Sequence, residues 1–177
     1  MDTRFGRLLF PTILGVAVAV WAADPVLDAG QSQPTNTADP VLGTWHLNVA
    51  KSRFIPGPAP KSRSRTYELY RDGIKTTIRT VYADGHTAFV QFVSDYSSDQ
   101  VLVSGSPDAD MLALKKTDQN TAEIVLFHAG KEVGSARRVI SQDGNRMTIT
   151  LELTNAQGAH VNDVQIFDKE QTQEQKK

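Results

Sequence analysis

The sequence predicts an all-β domain, a single up-and-down antiparallel β-barrel of about ten strands running from Val41 to Asp168. Three observations carry this. Turn signals recur along the chain: Asp72-Gly73, Asp84-Gly85 and Asp143-Gly144, with Ala129-Gly130 and Asn155-Ala156-Gln157-Gly158 between and after them. Such pairs mark hairpins because tight turns demand positive φ, which Gly and Asp tolerate. The segments between turns are rich in Val, Ile, Thr, Tyr and Phe, which suit a pleated, half-buried surface. No segment longer than two turns shows helical periodicity.

The strands follow in order. They are Leu42–Val49, Ser62–Arg71, Ile74–Ala83, His86–Tyr96, Val101–Ser104, Asp110–Lys116, Ala122–His128, Lys131–Ser141, Arg146–Thr154 and His160–Asp168. Alternation assigns faces in two of them. Ile74, Thr76, Ile78, Thr80 and Tyr82 share one face, against Lys75, Thr77, Arg79 and Val81. Met147, Ile149, Leu151 and Leu153 share another, against Thr148, Thr150 and Glu152. Between the first two strands, Ala50 to Pro60 carries Pro56, Pro58 and Pro60, which forbid a helix or a central strand. It reads as a connector or lid with one short helical turn before Phe54. Sequential hairpins without a long crossover give a meander, and closing it removes two exposed sheet edges. A barrel of this size is filled by side chains or holds one small ligand.

The flanks differ in composition. Residues 1–23 have the build of a signal peptide: Arg4 and Arg7, then an apolar run from Leu8 to Ala23, then Val20-Trp21-Ala22 before a cleavage expected after Ala22 or Ala23. The run is about 16 residues, short of the roughly 20 that span hydrocarbon. Export, to periplasm or secreted fluid, is therefore expected. Residues 24–40 read as a flexible polar leader and 169–177 as a polar tail. The 177 residues hold 40% hydrophobic and 22% charged residues, with a net charge of −1, so nothing steers the chain to nucleic acid. The absence of cysteine removes disulfides, thiolate metal sites and cysteine nucleophiles. A transmembrane barrel is disfavoured by the outward charges Glu68, Lys75 and Arg79 and by the polar end.

The opening Val41-Leu42-Gly43-Thr44-Trp45-His46-Leu47 resembles the Gly-x-Trp first strand of the calycin group, the lipocalins and fatty-acid-binding proteins. The closing Val164-Gln165-Ile166-Phe167-Asp168-Lys169 sits where that group ends its barrel. The Gly-Thr-Trp start, the Pro-Gly-Pro-Ala-Pro linker and Gly105-Ser106-Pro107-Asp108-Ala109-Asp110 resemble secreted bacterial lipocalin-like proteins, across most of residues 41–168. The resemblance implies a ligand-holding barrel and no particular activity. Two departures matter. Prolines stand where the fatty-acid-binding group has two helices, and Gln165-Ile166-Phe167 stands where that group has an Arg-x-Tyr grip on a carboxylate. The lipocalin arginine that stacks on the opening tryptophan is also not evident.

Candidate ligand contacts are Trp45, Tyr67, Tyr82, Tyr96 and Arg137. Trp45 reads as a pocket wall or as a plug of one barrel end. The tyrosines offer hydroxyls to a ligand or fill the core. Of Arg137 and Arg138, one must face the barrel; Arg137, sharing parity with Val133 and Val139, is the candidate counter-charge for a ligand carboxylate. Lys51, Arg53, Lys61, Arg63 and Arg65 form the densest basic cluster, read as a solvated edge or an anion dock at the mouth. His46, His86, His128 and His160 show no metal-ligand spacing, and Asp108 with Asp110 reads first as a turn. No Gly-x-Ser-x-Gly or phosphate loop occurs, so no enzyme, cofactor or metal is expected. The expected function is non-enzymatic binding of a small apolar or lipid-like ligand. The alternative is a structural or interaction barrel with a packed lumen, which Phe89, Phe92, Phe127, Ile149 and Leu151 would fill.

Overall fold

A computed structural model describes residues 38–171. The expected signal peptide, most of the leader and residues 172–177 of the tail lie outside the described residues. The described chain forms ten antiparallel strands in one sheet. They are β1 (Gly43–Leu47), β2 (Ser62–Tyr70), β3 (Gly73–Val81), β4 (Thr87–Ser94), β5 (Ser97–Leu102), β6 (Met111–Lys116), β7 (Thr121–His128), β8 (Lys131–Ile140), β9 (Arg146–Thr154) and β10 (His160–Lys169). The order β4-β3-β2-β1-β10-β9-β8-β7-β6-β5 is a meander whose first and last strands pair through Trp45–Lys169 and Leu47–Phe167.

The ring closes almost completely. β4 and β5 share no ladder, but Gln91 of β4 and Ser104, just after β5, exchange two backbone hydrogen bonds, each 2.9 Å. Gly105 makes this seam possible. Its φ is +82°, and a Cβ there would collide with the Phe89 carbonyl oxygen.

β5 is the strand whose limits differ most from the sequence expectation, Ser97–Leu102 instead of Val101–Ser104. Ser97 to Gln100 carries no apolar alternation because it is an exposed edge, displaced by an irregularity between Ser97 and Gln100. The β2–β3 hairpin also turns one residue early. Tyr70 pairs with Gly73, so Arg71 and Asp72 form the loop, with Arg71 at φ 51°. Gly73 is needed for space instead: a Cβ there would lie 2.9 Å from the Ser94 carbonyl oxygen.

The connector after β1 holds one 3-10 turn, Val49–Lys51, capped by the Asn48 side chain. Arg53 then rejoins β10 through two backbone bonds with Val164, and Asn162 donates to the Ile55 carbonyl. The prolines thus begin only after this short pairing ends, since proline has no N–H to give.

One barrel end is packed solid. Trp45, Met147 and Phe167 are fully buried there with Val41, Tyr67, Ile74, Ile140 and Ile149. The Trp45 indole N–H donates to the Val41 carbonyl at 2.7 Å. Asp39 bonds Lys116 at 2.8 Å beside this plug. The opposite end, where β9 finishes and β10 begins, is covered by the β5–β6 connection through Ser106 to Ala109.

Candidate functional site

Strand alternation sends one set of side chains inward, and together they enclose a cavity of about 190 Å³. Its walls are largely aliphatic and aromatic, among them Ile78, Val90, Phe92, Leu112, Leu126 and Leu151. Phe92, Ile149 and Leu151 face it, whereas Phe89 is 55% exposed on the outside and Phe127 is not part of the lining. The lumen keeps open space because two of the expected filling aromatics point away.

Three guanidiniums enter this apolar space: Arg63 and Arg65 from β2 and Arg138 from β8. Arg63 and Arg65 belong to the cluster read from sequence as a solvated edge or an anion dock at the mouth, with the solvated edge favoured. The structure corrects that for these two, while Lys51, Arg53 and Lys61 are exposed. The signal was present in the alternation, since Arg63 and Arg65 share parity with Tyr67 on β2. Opposite them across the ladder stand Thr80, Ile78 and Thr76, the inward set of β3.

The inward arginine of β8 is Arg138, only 5% exposed, and Arg137 lies on the outer face, pairing across to Glu123 and Thr150. The parity with Val133 that favoured Arg137 is broken by an irregularity where Phe127 pairs with Glu132 but Leu126 pairs with Gly134. Val133 is the extra residue of this bulge, so side chains before and after it no longer share faces.

The three arginines have unequal partners. Arg63 donates from Nε to Thr80 Oγ1 and from Nη1 to Gln165 Oε1, both at 2.9 Å. Gln165 in turn donates to Asp163 Oδ2 at 3.2 Å, and Asp163 Oδ1 accepts from the Ile55 N–H at 3.1 Å. Gln165, standing where an arginine grip was sought, is therefore fully buried as a relay between a guanidinium and a carboxylate. Burial, reinforced by the neighbouring charge of Arg65, lowers Arg63 to about 10. Arg63 is half-buried and is one of the residues that line the cavity.

Arg138 donates from Nη2 to Tyr96 Oη at 2.9 Å and lies over the rings of Tyr67 and Tyr96, at 5.4 and 5.7 Å from their centroids. Burial opposes its charge, but the tyrosine oxygens and the nearby Asp39 carboxylate outweigh that and hold its pKa above the ordinary value. The Tyr96 hydroxyl is raised by its own burial, against the pull of Arg138. The Arg138 Nε is buried with no hydrogen-bond partner. Arg65 is less satisfied. Its Nε is also buried without a partner, and its guanidinium lies 5.4 Å from the Phe167 ring centroid. Among the described residues no carboxylate forms an ion pair with any of these three arginines.

The remaining candidates divide. Tyr67 and Tyr82 line the cavity, and Tyr82 also stacks on His86 with centroids 4.2 Å apart. Tyr96 acts through Arg138 instead of lining the space. Trp45 lines nothing and belongs to the plug. Lys169 Nζ stands 4.9 Å from the Trp45 ring centroid, so a cation does cover the opening tryptophan, supplied by a lysine on β10. The histidines are scattered, His86 beside Asp84, His128 near Asp110 and His46 near Glu170. Among the described residues no three His, Asp or Glu side chains are grouped to hold a metal ion.

No protein-family model matches the chain, and no curated protein matches it. Several solved structures are similar in fold, two of them as follows. One is the zebrafish ileal bile acid-binding protein complexed with cholic acid, at 12% identity and a TM-score of 0.43, covering 74% of this chain and 99% of that one. The other is Rv2717c from M. tuberculosis, at 15% identity and a TM-score of 0.42, covering 75% of this chain and 94% of that one.

Proposed function

We propose that this chain is an exported binding protein that holds one small, largely apolar ligand inside its barrel. The carrying observation is the lumen itself, a cavity of about 190 Å³ with apolar walls and a few convergent polar groups. The reading is binding without turnover. Asp108, at the lumen wall, and the buried Asp163 are each held by a backbone N–H, from Ala156 and Ile55. Export is supported by the basic, apolar and small-residue pattern of residues 1–23.

The test is native mass spectrometry of the full chain expressed in a bacterium with its own N-terminal segment. Loss of residues up to Ala22 or Ala23 and recovery from the periplasm support export. A reproducible co-purified small-molecule mass, released on unfolding, supports the binding reading. A full-length cytoplasmic protein counts against the first, and a bare barrel that also takes up no apolar probe counts against the second.

A second reading, an interaction module, is favoured by one observation. Leu69, Tyr70, Val93 and Leu102 are exposed large hydrophobics, and Leu102 is 76% exposed. Such outward apolar side chains suit contact with a partner. Their replacement by serine would abolish partner capture under this reading and leave lumen binding intact.

A further inference from the structure

We infer that the closed barrel end is a dock for an Asp-Pro-Val-Leu segment, and that its second occupant is residues 23–27 of another copy of this chain. The inference stands independently of what the lumen holds.

The chain carries the same five residues twice. Ala23-Asp24-Pro25-Val26-Leu27 is repeated as Ala38-Asp39-Pro40-Val41-Leu42. The first copy lies outside the described residues. The second runs directly into β1 and straps the plug, and its last four residues are each held there. Lys116 of β6 donates to the Asp39 carboxylate at 2.8 Å, and the Asp39 side chain is only 16% exposed. Lys169 of β10 donates to the Pro40 carbonyl at 3.1 Å. The Val41 side chain is fully buried in the plug, and its carbonyl accepts from the Trp45 indole at 2.7 Å. Leu42 packs against the same core. The strap also folds on itself. Asp39 Oδ1 accepts from the Val41 N–H, and the Asp39 carbonyl accepts from the Leu42 N–H, both at 3.0 Å.

Every group that the dock contacts recurs in the first copy, in the same order and at the same spacing. What the first copy lacks is the continuation. Gly43, at φ +110°, leads the strap into β1, whereas Asp28 stands at the equivalent place, and a side chain there is strained in that conformation. Residues 23–27 thus match the dock but not the strand behind it. Exchanging one strap for the other trades identical contacts, so their free energies cancel and local concentration decides the occupant. The strap joined to β1 holds the dock in dilute protein. A second copy gains as the protein is concentrated, and each exchange ties two barrels together at the closed end. Cleavage at the expected position, after Ala22 or Ala23, keeps Asp24 to Leu27 in the exported chain.

Thiol cross-linking tests this, since the chain has no cysteine of its own. Two variants of the full chain are mixed and treated with a short bis-maleimide, and mass spectrometry counts the mixed dimer. One is Asp28→Cys, just after the first copy. The other is Glu170→Cys, whose backbone N–H donates to the Thr44 carbonyl beside the strap. His160→Cys, at the opposite end of β10, replaces Glu170→Cys as the control. Glu170 and His160 are both exposed, and unchanged circular dichroism of each variant is the condition for comparing them. The Glu170 position is expected to give at least about tenfold more mixed dimer than the His160 position, because docking raises the local thiol concentration at one barrel end only. Val26→Asp in the Asp28→Cys chain should lower the yield to that of the control, since the fully buried Val41 site would have to take a charge. An excess of synthetic Ala-Asp-Pro-Val-Leu peptide should do the same. Equal yields at the two positions overturn the assignment of the dock. A Glu170 yield that Val26→Asp and the peptide leave unchanged overturns the motif as its occupant.

Discussion

Replacing Trp45 with phenylalanine separates a plug from a pocket wall. Trp45 is fully buried, and its indole N–H donates to the equally buried Val41 carbonyl at 2.7 Å. Phenylalanine leaves that carbonyl without its donor, which costs about 1–3 kcal/mol. The vacated space of the lost ring atoms adds about 1 kcal/mol at roughly 24 cal/mol per Å³ of cavity. The stacked Lys169 loses its better aromatic face, a contribution of about 0.5 kcal/mol. Together these give about 2.5–4.5 kcal/mol, a large share of the roughly 5–15 kcal/mol typical of a domain. With a urea slope of about 2 kcal/mol per molar, the unfolding midpoint should fall by about 1–2 M. Far-UV circular dichroism during urea titration reads this directly. Titration of the folded variant with an apolar probe should give the wild-type stoichiometry, because Trp45 does not line the cavity. A midpoint shift under about 0.3 M, or a folded variant that has lost its binding capacity, would refute the assignment of Trp45 to the plug.

Three further outcomes are expected. Arg65→Met should raise the urea midpoint, by about 1 kcal/mol in stability, because an unpaired inward charge gives way to an apolar side chain of similar length; a lower midpoint would mean that the guanidinium is satisfied in the ligand-free protein. Gly105→Ala should destabilise the seam by roughly 1–3 kcal/mol, through a left-handed φ and a collision with the Phe89 carbonyl. Hydrogen exchange at the Gln91 and Ser104 amides should accelerate selectively, and unchanged exchange there would contradict the closure described. Asp39→Asn probes pH dependence. Burial alone would raise the Asp39 carboxyl, but the Lys116 hydrogen bond, the Val41 N–H and nearby cations outweigh it and hold the pKa below its usual value. A depressed carboxyl stabilises the fold above the ordinary carboxylate range and loses that contribution as pH falls through its folded value. The stability gap between wild type and Asp39→Asn should therefore be widest near neutrality and close as pH falls below about 4; a gap that stays constant across urea midpoints at several pH values would rule this out.

Much of the architecture was legible because local chemistry decides it. Asp-Gly and Ala-Gly turns, β-branched runs and period-two alternation are properties of neighbouring residues, and they put nine of the strands near their observed limits. The proline connector was equally readable, since a missing N–H acts within one residue. β5 was less so, because an exposed edge strand carries no apolar period to read.

The site was harder to read for a different reason. An extra residue at Val133 removed that residue as a guide to the inner face of β8, and the register with β7 and β9 made Arg138, not Arg137, the inward arginine. Arg63 and Arg65 lay in a stretch whose charge suggested solvent, yet their parity with Tyr67 turned them inward once β2 was closed into the ring. The sequence by itself determined strands, turns and the order of the meander. Only the tertiary structure decided that arginines from β2 and β8 line one cavity, and that Gln165 links just one of the three to a carboxylate. Register and closure act between residues far apart in the chain, and a one-residue shift moves a side chain from solvent to lumen.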